Sequence, residues 1–91
     1  MKYNLFISYD LIAPGQHYPK VTAAIEALGS WAKIHYSLYF VSTSLTSQQA
    51  CERIWQSMDA NDKLLVIDAR NAHHVNLPGE VSEHIRHHWK N

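Results

Sequence analysis

Apolar positions alternate with polar ones from the start of the chain. Leu5, Ile7 and Tyr9 fall on one side of an extended segment from Tyr3 to Tyr9, and Phe6 adds an apolar residue on the other. A strand apolar on both sides is expected inside a sheet. Ala13-Pro14-Gly15 then supplies a turn signal. From Pro19 the period lengthens: Val21, Ala24, Ile25 and Leu28 recur at helical spacing, with Pro19 suited to the first turn and Gly29 to a left-handed cap. Glu26 lies off that stripe and is expected to face solvent. Trp31 to Thr43 is too long for one ordinary strand and too rich in β-branched and aromatic residues for a helix, which predicts a hairpin turning near Tyr36-Ser37. Thr46 to Gln49 has the form of a capping box, with Leu45 placed as a hydrophobic staple. Cys51, Ile54, Trp55 and Met58 continue as an apolar helix stripe, and Asp59 to Asp62 closes it. Leu64 to Ile67 is an unbroken apolar run, expected of a strand covered on at least one face.

The element order is therefore β-α-β-β-α-β. Right-handed crossovers convert that order into an antiparallel four-stranded sheet arranged 4-1-3-2 with two helices on one face, the ferredoxin-like α+β fold. It occupies residues 1–70. Residues 71–91 read as a C-terminal arm of the same domain, in which Val81, Ile85 and Trp89 predict a short helix with one apolar edge.

Ninety-one residues make one domain with a thin core, so pairing with a second copy would add apolar burial. A single cysteine, Cys51, suits a reducing cytosol, and the first residues lack the pattern of a signal peptide. No apolar run approaches the roughly 20 residues of a membrane helix. Eight basic and eight acidic residues cancel, which disfavours a protein that coats phosphate backbones; seven histidines leave the chain able to turn basic in weak acid.

Asp10 stands where an apolar inner strand meets a loop, a position that holds a carboxylate rigidly yet within reach of solvent. Such a group can hold magnesium through water, or simply cap the turn. Strand direction puts Asp68 at the opposite rim of the sheet and Asp62 and Ser37 at the same rim as Asp10. His84 and His88 have the i, i+4 spacing that allows two imidazoles to share a metal, although surface histidines also arise without any such role. Trp31, Tyr36, Tyr39 and Phe40 are either base-stacking platforms or core. Phosphate-binding glycine loops and hydrolase elbows are absent from the sequence.

Several segments resemble a known family. Ile7-Ser8-Tyr9-Asp10-Leu11 is similar to the strand-ending Tyr-Asp of the CRISPR-associated Cas-two proteins, and His35-Tyr36-Ser37-Leu38-Tyr39 to their later aromatic-flanked serine segment. The layout from residue 3 to 69 most resembles the small SinR-like proteins of that group, and more distantly the VapD-type toxins. The resemblance implies a ferredoxin-like homodimer in which a terminal segment adds to the partner's sheet. It also implies a metal-dependent nuclease on RNA or DNA, with the Asp10 residues of two subunits facing one Mg2+ and Ser37 in support. Some members of the group serve only as scaffolds gripping DNA. A non-catalytic nucleic-acid-binding or protein-assembly module is thus the alternative, and a histidine-rich metal-binding protein a third. The first helix departs from the family's Arg- and Lys-rich pattern, having only Lys20.

Overall fold

The computed structural model describes residues 1–12 and 18–91. Its elements are β1 (Tyr3–Asp10), α1 (Tyr18–Glu26), β2 (Ser30–His35), β3 (Leu38–Thr43), α2 (Ser47–Trp55), β4 (Lys63–Asp68) and α3 (Gly79–His88). The Ala13-Pro14-Gly15 turn lies outside the described residues. The strands form one antiparallel sheet in the order β2-β3-β1-β4, so the molecule has the ferredoxin-like topology its element order implies.

The inner strand β1 separates two cores. Leu5, Ile7 and Tyr9 point to the first face, where Val21 and Ile25 of α1 and Ala50 and Ile54 of α2 pack against them with Tyr39 and Val41. Alternation of side chains along a strand sends Phe6 and Phe40 to the second face. There they meet Val81 and Ile85 of α3, with Ala32, Leu77 and Trp89. The two helices of the βαββαβ unit thus share one face, and the C-terminal helix folds back over the other. Phe6, Phe40 and Trp89 form an aromatic group on that second face, with ring centroids 5.6 to 6.1 Å apart.

The hairpin turns at Tyr36-Ser37 as expected. Its two turn residues keep negative φ, and a register shift between Lys33 and His35 absorbs the mismatch in twist, which is why no glycine or asparagine marks the site. The capping box is formed: Thr46 Oγ1 accepts from Gln49 N at 3.2 Å, and Thr46 N donates to Gln49 Oε1 at 3.0 Å.

Three expectations need correction. Glu26 does not simply face water, because the buried Tyr39 hydroxyl donates to its Oε2 at 2.7 Å. Gly29 is not a left-handed cap; a Cβ there would collide with the Ser42 carbonyl oxygen, so glycine is required by the close approach of the chain to β3. In α2 the buried positions are Ala50 and Ile54, while Trp55 is exposed and Cys51 only partly covered. Ala50 escaped the sequence pattern because its side chain is small. It is nonetheless fully buried in the first core.

Candidate functional site

β1 runs toward Asp10, and its antiparallel register with β4 places Asp10 opposite Lys63 and Leu5 opposite Asp68. Five residues of strand, about 17 Å, therefore separate the two aspartates along the sheet. Asp10 shares the parity of Phe6 and Ser8, so it belongs to the second face, and it is exposed. Ser37 reaches the same rim, where its carbonyl accepts from Tyr9 N at 3.2 Å. The Tyr9 hydroxyl donates to the Tyr36 carbonyl at 3.3 Å and fixes the hairpin turn beside the end of β1.

Asp62 also stands at this rim, as strand direction requires, with its carboxylate engaged by the backbone. Oδ1 accepts from Ile12 N at 3.0 Å and Oδ2 from Asp59 N at 2.8 Å, tying the segment after β1 to the loop before β4. It shapes the rim. Large apolar side chains are uncovered toward this end of the sheet: Ile12, two residues past Asp10, is 48% exposed, Leu65, opposite Ser8 on β4, 58%, and Tyr36, whose ring packs edge-on to Tyr18 of α1, 73%. The four aromatic candidates divide, Tyr39 and Phe40 being core while Trp31 and Tyr36 reach solvent.

The His84 and His88 rings lie face to face, with centroids 4.2 Å apart and planes 28° from parallel. Stacked rings present faces to one another rather than converging their nitrogens, and His88 Nδ1 is already 3.0 Å from the His84 carbonyl. His84 also sets its ring edge-on to Phe40. Its Nδ1 is buried without a hydrogen-bond partner. Burial, and then the neighbouring His88 and His87, hold its pKa below the usual histidine range. Among the described residues no group of three or more histidine, cysteine or acidic side chains is arranged to hold a metal.

Sequence reasoning missed Asn4, buried on β1. Its Nδ2 donates to the Lys90 carbonyl and, at 3.3 Å, to the Ala69 carbonyl, while its Oδ1 accepts from Lys90 N at 2.8 Å. This amide adds a polar tie between the sheet and the C-terminal tail, whose Trp89 also packs on Phe6 and Phe40. The only sign in the sequence was a polar residue within an otherwise apolar strand.

Comparison with models of protein families, with curated proteins and with solved structures finds no match. No helix among the described residues is long and apolar enough to cross a membrane. Fold and site define a ferredoxin-like α+β domain with a carboxylate-bearing rim.

Proposed function

We propose that the chain is a homodimeric nucleic-acid-processing domain of the Cas-two-like kind, whose phosphodiesterase site takes one Asp10 carboxylate from each subunit. The observation that carries this reading is the position of Asp10, exposed at the end of the inner strand, with uncovered Ile12 two residues on and uncovered Leu65 opposite Ser8 on β4. A twofold axis near this rim would cover those side chains and supply the second carboxylate that one subunit does not offer, since Asp62 is engaged by backbone amides and Asp68 ends the far rim. One or two carboxylates are the usual protein ligands of Mg2+, which keeps several of its waters, so the residues fit that ion. Bound there, it would activate water and steady charge on a phosphate. Ser37 lies on the same rim to support the substrate.

The second reading is a non-catalytic nucleic-acid-binding or assembly module. It is favoured by the zero net charge and by Lys20 being the only cation in α1, which leave little grip on a phosphate backbone. Fluorescent single- and double-stranded RNA and DNA, incubated with and without Mg2+ or Mn2+, separate the two. Cleavage by the parent, its loss in Asp10→Asn and its retention in Asp68→Asn are expected. Absence of cleavage on every substrate selects the binding module. Cleavage that survives Asp10→Asn refutes the site.

A further inference from the structure

The second face carries a groove of about 780 Å3 between the strands, α3 and the segment 71–77, reaching His35 and Leu38 beside the hairpin turn but not Asp10. Small-molecule sites range over roughly 300–1,000 Å3. Phe6, Ile67 and Trp89 line its apolar part, and Ile67 is 46% exposed there although it sits on the sheet itself. Arg86, His73 and His74 at one side, with His35 near the hairpin, supply its basic groups. No aspartate or glutamate is found among its described lining residues. The Arg86 guanidinium donates to Ser82 Oγ at 3.1 Å, one helical turn back. That bond uses one of five N–H donors and steadies the group on α3. An aromatic floor beside a rim of basic side chains alone is complementary to an aromatic anion.

We propose that this groove binds a flat aromatic ring bearing a phosphate group, the ring against Phe6 and Trp89 and the phosphate at Arg86 with His73 and His74. Three donor side chains suit the many acceptor positions of a phosphate, and aromatic side chains accept bases without regard to sequence. Asp10 does not line the groove, so the inference stands apart from the paired-carboxylate site. The same chemistry is presented by a free nucleotide and by the phosphorylated end of an oligonucleotide.

Isothermal titration of the full chain in magnesium-free buffer tests it with adenosine 5′-monophosphate, adenosine, inorganic phosphate, and a tetranucleotide with and without a 5′-phosphate. Saturable binding of the monophosphate, tighter than that of adenosine or phosphate, is expected. Arg86→Gln, at an exposed position, should weaken it by about tenfold or more. Ile67→Glu, which puts a negative charge in the groove, should do the same on an edge strand that tolerates it. Asp10→Asn should leave binding unchanged, with circular dichroism confirming that each variant is folded. Competition by the 5′-phosphorylated tetranucleotide alone identifies a nucleic-acid end as the source, and its failure to compete identifies a free nucleotide. The proposal is overturned if the monophosphate shows no saturable binding, if adenosine binds equally well, or if Arg86→Gln and Ile67→Glu bind like the parent.

Discussion

Glu26 and Tyr39 show how a single hydrogen bond changes the worth of a surface position. Helical periodicity puts Glu26 beside the apolar stripe, and nothing local reveals that a tyrosine 13 residues later reaches it from β3. Burial, with the Glu26 carboxylate next in order, raises the Tyr39 pKa, so the hydroxyl remains a donor throughout the physiological range. Glu26→Ala is expected to lower stability by about 1–3 kcal/mol, because it leaves a buried hydroxyl without its acceptor. Urea melts check this, and adding Tyr39→Phe to Glu26→Ala should recover part of the loss. His84 yields a second prediction at this scale. Its folded pKa is depressed, whereas the unfolded imidazole takes its proton near pH 6.5. The unfolded state therefore binds more protons in the interval below pH 6.5, and the stability associated with neutral His84 is full above that pH and declines as pH falls through it. Urea midpoints from pH 8 to 5 should show a steeper acid decline in the parent than in His84→Leu. Parallel curves would contradict the assignment.

Elements were legible where local chemistry decides them. The Thr46–Gln49 box and the alternation of β1 depend on residues a few positions apart and appear as read, whereas the α1 stripe holds at Val21 and Ile25 but the helix ends at Glu26, short of Leu28. What the sequence did not disclose is contact at long separation. The close approach of Gly29 to Ser42 and the grip of Asn4 on Lys90 join positions that no periodicity links. The apolar edge of α3 was visible, whereas the face it would cover was not, because Val81, Ile85 and Trp89 could equally have packed on another chain. Asn4 makes that placement testable. Asn4→Ala removes the amide between β1 and the tail and should destabilise the protein by about 1–3 kcal/mol. Hydrogen exchange should rise first in α3, while amides of α1 and α2 stay protected. Uniform acceleration across all three helices would show that the tail is not held by this residue.

At the scale of the whole molecule, a sheet covered by two helices on one face and a third on the other leaves large apolar side chains in water at several places, among them Ile12 just past the end of β1. Asp10 ends β1 at one rim of the sheet, and its position there was legible from strand direction alone. Whether a second carboxylate meets it depends on another copy, which no local pattern specifies. In the proposed dimer, covering Ile12 and Leu65 would supply a drive for pairing, and symmetry would bring the two carboxylates together. The proposed paired site sets a metal stoichiometry that can be measured. Titration of the chain with Mn2+, read by electron paramagnetic resonance of the free ion alongside light scattering, should give a dimer that binds one ion per two chains, with binding lost in Asp10→Asn while the dimer persists. A monomer at tens of micromolar, one ion per chain, or Mn2+ binding unchanged in Asp10→Asn would contradict the paired-Asp10 site.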